Sequence, residues 1–184
     1  MGNCLNRTLT LLIKNCGGRL PRAAADLPAD NALRAACSAA LPAIARAYDG
    51  LQFAAACQQA LAVSDRANVY LEEQAPWKLV KAGQLAEAGD VLVAVLETMR
   101  LVAIALSPVT PRVAARMLEQ LGLSPQQAAA LRWADDASWG GLPAGHAVAA
   151  APSPVFLRLA LPEPAGAAPA AAAKGKQPKQ QAAK

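Results

Sequence analysis

Val91-Leu92-Val93-Ala94-Val95-Leu96-Glu97-Thr98-Met99-Arg100-Leu101-Val102-Ala103-Ile104-Ala105-Leu106 decides the fold. It is the longest apolar run in the chain, and Glu97 and Arg100 interrupt it. A bilayer span needs about 20 predominantly apolar residues with few or no charges. This run is shorter and carries two charges, so it reads as a helix buried among other helices, with no membrane role. Composition agrees. Hydrophobic residues make up 54% of the 184, aromatics only 4%, and much of the apolar fraction is alanine. That mixture favours closely packed helices over a β-sandwich, and the length suits one domain with a real core.

Working outward, the run belongs to a helix from about Leu85 to Leu106. Upstream, Leu5, Leu9, Leu12, Ile13 and Cys16 recur at helical spacing, and Gly17-Gly18 followed by Pro21 ends that helix. Asp30 is placed to cap a second helix to about Tyr48, with Leu33, Cys37, Leu41 and Ile44 inward and a kink at Pro42. Asp49-Gly50 makes a turn. A third helix runs from about Leu51 to about Gln74, with Phe53, Ala56, Cys57, Ala60 and Leu61 inward. Pro76 forces a break, and Trp77 to Ala82 reads as a short helical turn closed by Gly83.

Downstream, Thr110 is placed to cap a helix from Pro111 to Leu121, and Ser124 another from Pro125 to about Trp133. Residues 139–162 are rich in glycine and proline and read as irregular, with a short extended piece at Val155 to Leu159. From Pro164 on, Ala, Pro, Lys and Gln dominate, as in disordered segments. The expected architecture is all-α: an antiparallel helix bundle with an irregular closing loop over residues 1–162, and a disordered basic Ala/Pro/Lys-rich tail over 163–184.

Net charge is +5, unevenly spread. The first 25 residues hold Arg7, Lys14, Arg19 and Arg22 and no acid, and residues 174–184 hold Lys174, Lys176, Lys179 and Lys184 and no acid. The rest carries a small acidic excess. A basic first helix on a mildly acidic body suggests one local anionic partner site; an ordinary solvated helix face would look the same. Cys4, Cys16, Cys37 and Cys57 form no C-x-x-C pair, and His146 is the lone histidine. No metal site is expected, and buried free thiols suit a reducing compartment. The Met1-Gly2-Asn3-Cys4 start lacks the Ser or Thr that myristoylation wants at the sixth position, where Asn6 stands.

Two segments carry recognition chemistry. Asn3 and Arg7 lie four residues apart, on one face of the first helix. Arginine offers a fork of donors and asparagine both a donor and an acceptor, enough to read the Watson–Crick edge of an unstacked base. A plain surface pair would have the same spacing. Trp77 follows Pro76, which fixes the direction of approach, so its indole either stacks on a base or covers the end of the third helix. Asn68, Tyr70 and Glu72 lie at even spacing, so the three together do not share one face. Asn68 is read as a hydrogen-bond tie to the break at Pro76, and Tyr70 as a core residue with its hydroxyl satisfied. Trp133 and Trp139 are read as packing residues. No nucleophile–base pair and no glycine-rich phosphate loop is present, so no catalytic residue is assigned, and His146 is read as incidental.

Together the segments resemble the anticodon-binding domain of methionyl-tRNA synthetases, class I aminoacyl-tRNA synthetases, over roughly residues 1–160. Gly2-Asn3-Cys4-Leu5-Asn6-Arg7-Thr8-Leu9 is similar to the family's G-N-L-x-N-R-T-L, with cysteine where leucine is usual. Ala67-Asn68-Val69-Tyr70 through Ala75-Pro76-Trp77-Lys78 is similar to A-N-x-Y-x-x-x-x-A-P-W-K. Leu106-Ser107-Pro108-Val109-Thr110-Pro111 resembles a family helix start, and Trp139-Gly140 with Pro154 to Leu159 its closing loop.

The resemblance implies an α-helical bundle. It implies that Asn3 and Arg7 contact the first anticodon base, a cytosine, that Trp77 stacks in the anticodon pocket, and that Asn6, Asn68, Tyr70 and Pro76 support them. The implied partners are a methionine tRNA with a CAU anticodon and a Rossmann catalytic domain, with no membrane. ATP, magnesium and methionine belong to that catalytic domain, and no cofactor is expected on this chain. No H-I-G-H-like or K-M-S-K-S-like segment occurs here, so the chain is expected to be part of a methionine–tRNA ligase and inactive alone. A free-standing tRNA-binding factor acting in trans, or a helical scaffold that has lost RNA binding, are the alternatives. The alanine-rich composition and Lys14-Asn15-Cys16-Gly17-Gly18 resemble a plastid or mitochondrial form; otherwise the protein is cytoplasmic.

Overall fold

The computed structural model describes residues 1–156. Its helices are α1 (Gly2–Cys16), α2 (Ala32–Asp49), α3 (Phe53–Gln74), α4 (Pro76–Lys81), α5 (Leu85–Leu106), α6 (Pro111–Gln120), α7 (Pro125–Ala130) and α8 (Trp133–Asp136), with a 3-10 turn at Ala24–Asp26. The expected tail and the part of the extended piece from Leu157 onward lie outside the described residues.

The helix that holds the long apolar run is the axis of the bundle. α5 packs against α1, α2, α3, α4 and α6, and its residues from Val91 to Leu106 are all buried. A helix apolar on every side can only be stable when neighbours cover every side. No described helix is long and apolar enough to cross a membrane.

Glu97 and Arg100 sit inside this core, 0% and 3% exposed. Buried charges need partners, and both have a full set. Arg100 Nη2 donates to Glu97 Oε1 at 2.6 Å and Nε to Oε2 at 3.1 Å. Arg100 also donates to the carbonyls of Asp136 and Ser138 at 2.8 and 2.6 Å. Glu97 accepts the backbone N–H groups of Gly140, Gly141 and Leu142 at 2.8, 2.9 and 3.2 Å. The two charges that rule out a membrane span are thus the anchor of the closing loop. Trp139 Nε1 donates to the Ala24 carbonyl at 2.9 Å, and the 18–24 segment exchanges further backbone bonds with Leu142, Gly145, His146 and Val148. His146 contacts the Leu121 carbonyl through Nε2 at 2.6 Å, a structural tie.

Local chemistry explains most helix ends. α1 stops at Gly17, whose left-handed φ of 61° costs a residue without Cβ nothing. Gly122 has φ 89°, and a Cβ there would collide with the Ala147 carbonyl. Ser124 and Gln127 form a reciprocal capping box at α7.

Several expectations need correction. Asn31, not Asp30, caps α2: its Oδ1 accepts from the N–H groups of Leu33 and Arg34 at 3.0 and 3.2 Å. Thr110 does not cap α6 with its side chain; its hydroxyl turns back to the Leu106 carbonyl at 3.2 Å. The helix expected from Pro125 to Trp133 is two short helices, split at Leu131 and Arg132. α3 begins at Phe53, because Leu51 takes φ 56° in the hairpin turn from α2. Leu41 and Cys57 are half-buried.

The largest error concerns the inward face of α3. Phe53 and Leu61 are 50% and 43% exposed. The buried row is Ala56, Ala60, Val63, Ser64, Ala67 and Leu71. Ala56, Ala60, Ser64 and Ala67 let α3 lie close against α2 and α5, with Leu71 at the same seam; Phe53 stands at the first residue of α3, and Leu61 lies round the helix from the buried row.

Candidate nucleic-acid interface

α1 and the α3–α4 junction meet on one side of the bundle. Cys4, Leu5, Thr8, Leu9 and Leu12 are buried and fix α1 to the core. That burial turns Asn3 out to solvent and leaves Asn6 and Arg7 half-buried. At the junction, Ala75 is both the last cap of α3 and the first of α4, with φ 42°. A left-handed alanine costs about 1–2 kcal/mol, so the surrounding contacts hold it there. Ala75 is buried, its N–H donates to the Leu71 carbonyl at 3.1 Å, and its carbonyl accepts from Lys78 at 2.7 Å. Pro76 is buried at the first position of α4, where its fixed φ and absent N–H suit a helix start. Pro76 therefore breaks α3 and begins α4 in one step, and this sharp reversal sets the direction of Trp77.

The consequence is a contact between the two motifs. The Arg7 guanidinium lies 5.4 Å from the centroid of the Trp77 ring. Arg7 Nη1 also donates to Glu72 Oε1 at 2.5 Å. A cation on an indole face at a partly exposed site is worth about 0.5–1 kcal/mol. The ion pair adds less than about 1 kcal/mol, because its side chains are 36% and 51% exposed. These are small energies, but both act on one arginine and hold its fork in a defined place. Lys78 and Lys81 are exposed on α4 and add positive charge beside the indole.

The remaining residues divide. Asn3 is one turn from Arg7 on α1 and makes no side-chain hydrogen bond among the described residues. Asn6 lines a cleft with Gly2, Asn3 and Pro154 to Phe156. Tyr70 is half-buried, and its hydroxyl accepts from Asn31 Nδ2 at 3.2 Å, which ties the end of α3 to the start of α2. Burial raises the Tyr70 phenol above its ordinary value, partly offset by that bond. Asn68 makes no side-chain hydrogen bond among the described residues, so the tie to the Pro76 break is not formed. Trp133 packs edge-on to Tyr48, and both Trp133 and Trp139 are packing residues as read. Sequence reasoning missed Glu72. Its only local signal was its place two residues after Tyr70, and its partner is 65 positions away. The described residues hold no cluster suited to a metal ion.

Residues 20–163 match the family described as the anticodon binding domain of methionyl tRNA ligase. The chain belongs to that family. The match starts after α1, so Asn3 and Arg7 lie outside it. The chain is 39% identical to the methionine–tRNA ligase of Synechocystis sp. over 88% of its own length and 32% of that relative's. It is 38% identical to the chloroplastic/mitochondrial methionine–tRNA ligase of Arabidopsis thaliana, over 88% of this chain and 26% of that one. The apo form of Mycobacterium tuberculosis methionyl-tRNA synthetase has a similar structure, with a TM-score of 0.74 and 29% identity over 88% of this chain and 32% of that one. The chain thus spans about a third or less of the relatives it matches. As a member of the anticodon-binding family, it has the all-α fold that its periodicity implied.

Proposed function

We propose that this chain is the tRNA anticodon-binding part of a methionine–tRNA ligase, and that it reads the CAU anticodon of methionine tRNA. The observation that supports this is the meeting of Arg7 and Trp77, 5.4 Å apart, on a face where Asn3 stands one helical turn from Arg7. An unstacked base needs a flat surface beneath it and hydrogen-bonding groups at its edge. Trp77 offers the surface. Arg7, over one face of the indole, and Asn3, one turn away, offer donors and an acceptor beside it. Holding Arg7 in advance reduces the ordering cost of binding. In the assembled ligase, the chemistry with ATP, magnesium and methionine belongs to a Rossmann catalytic domain. A plastid or mitochondrial location is supported by the Arabidopsis relative.

The test is titration of a CAU stem-loop, and of a loop with its first base changed, against Arg7→Ala and Trp77→Ala. Circular dichroism serves as the folding control. Arg7→Ala should weaken the CAU loop by about 1–3 kcal/mol and narrow the gap between the two loops. Trp77→Ala should weaken both loops more evenly, because stacking is less base-selective. A folded Arg7→Ala protein with full preference for the cytosine loop would show that Arg7 is not the reader. A wild-type chain that binds neither loop would favour a scaffold that has lost RNA binding.

A further inference from the structure

Among the described residues, left-handed φ values fall on glycines with two exceptions, Leu51 at 56° and Ala75 at 42°. They stand at opposite ends of α3. Leu51 closes the hairpin turn between α2 and α3. Its N–H donates to the Tyr48 carbonyl at 2.9 Å, that of Gln52 donates to the Ala47 carbonyl at 2.7 Å, and its side chain is exposed. This is a common way to finish a helix, and glycine is the usual occupant. Ala75 is different. It is buried, ends α3 through its N–H, starts α4 through its carbonyl, and stands two residues before Trp77. α4 has six residues and hangs between Ala75 and Gly83, whose φ is 80°. Glycine is free to follow, so Ala75 sets the orientation of α4 and of the indole it carries.

Glycine would hold the same backbone with less strain, because a left-handed φ crowds Cβ against the following carbonyl. The methyl group therefore stays at a cost. What it removes is the range of other conformations that glycine reaches, a range that the following proline narrows further. Strain of this kind gathers where a site is held ready for its ligand. Here the groups it controls are the Trp77 ring and its contact with the Arg7 guanidinium, 5.4 Å from the ring centroid. We propose that Ala75 is a positioning residue: its left-handed backbone and its methyl hold α4 in one orientation, so that the indole waits against Arg7 before RNA arrives. A base then meets a surface already in place, and less of its stacking is lost in ordering the protein. This rests on the anticodon reading, in which Trp77 stacks on a base, and adds to it the residue that keeps the ring ready.

The experiment uses the full chain labelled with fluorotryptophan, in which the Trp77 resonance is assigned by its absence from Trp77→Phe. Ala75→Gly should melt no lower than wild type, because relief of strain offsets the lost methyl contact. Its Trp77 fluorine resonance should broaden or move. Its affinity for a CAU stem-loop should fall about fivefold, as when about one molecule in five holds the competent arrangement. Ala75→Ser keeps Cβ and should bind within about twofold of wild type. Leu51→Gly makes the same backbone change at the far end of α3 and should leave RNA binding and the Trp77 resonance unchanged. In a Trp77→Ala background, Ala75→Gly should add no further loss, because it acts through the indole. Wild-type affinity of Ala75→Gly overturns the proposal. So does a further loss in the Trp77→Ala background, an equal loss in Leu51→Gly, or a lowered melting temperature with an unmoved Trp77 resonance; these would make the methyl a packing group. If Trp77→Ala weakens the loop while Ala75→Gly binds as wild type does, this proposal falls and the anticodon reading stands. If Trp77→Ala binds as wild type does, or no loop binds the wild-type chain, the stacking role of Trp77 falls and the proposal falls with it.

Discussion

Arg7 on α1 and Glu72 on α3 are joined by a hydrogen-bonded ion pair that spans 65 positions of sequence. The carboxylate competes with any incoming base or phosphate for the same guanidinium, while fixing where that guanidinium waits. Glu72→Gln should therefore raise affinity for every stem-loop, because it removes an anion from the binding face. It should also reduce the preference for the first anticodon base, because Arg7 is held less firmly. Unfolding free energy should change by less than about 1 kcal/mol, since the bridge is substantially exposed. Paired titrations and denaturant melts measure both. A large stability loss with unchanged base preference would assign the bridge to structure alone.

The Glu97–Arg100 pair should behave in the opposite way. Both groups are buried, and removing one partner strands the other. Glu97→Met leaves the Arg100 charge without its counterion and deprives Gly140, Gly141 and Leu142 of their acceptor. The expected cost is about 3–5 kcal/mol. Arg100→Met should cost less, because Glu97 keeps its three backbone donors. Urea denaturation of the two variants gives the ranking. A Glu97→Met chain within 1 kcal/mol of wild type would show that the closing loop is anchored elsewhere.

Burial pushes the Cys37 thiol up to about 12, against a smaller opposing effect of its contact with Thr98. The thiol should resist alkylation in the native protein at neutral pH and react only on unfolding. The sign of the pH effect follows. Above the ordinary thiol value of 9.0 the unfolded chain loses this proton while the folded chain keeps it until about 12. The stability contributed by the protonated thiol is thus complete below 9.0 and declines as pH rises toward 12. Cys37→Ala should flatten part of the alkaline decline in denaturant melts between these values. An equally steep decline without the thiol would place its cause in other groups, such as Tyr48 and Tyr70, which burial also raises.

The chain's own order of residues determined the helices and most of their limits. α5 was legible because an apolar run with two charges has few stable outcomes, and α1 because leucines at helical spacing end at two glycines. The α3–α4 break was legible because proline removes a donor and fixes φ. These are local effects, set by residues within a turn or two of one another. The motifs around Arg7 and Trp77 were legible as motifs, though not as neighbours.

Tertiary structure alone decided which groups meet. Nothing near Glu72 marks it as the partner of Arg7, and nothing near Phe156 places its ring against Gly2. Both are contacts of high sequence separation, made when α1, α3 and the closing segment pack on α5. The inward face of α3 was misread for a related reason. Periodicity finds a face only to within a residue or two round the helix, and packing on α2 and α5 decides which row is covered: Leu71 is buried, while Phe53 at the helix start and Leu61 beside the row stay exposed. Asn31 took the capping role from Asp30 because its amide can do two things at once. Its oxygen caps α2 and its nitrogen reaches Tyr70, whereas an aspartate carboxylate has only acceptors to offer.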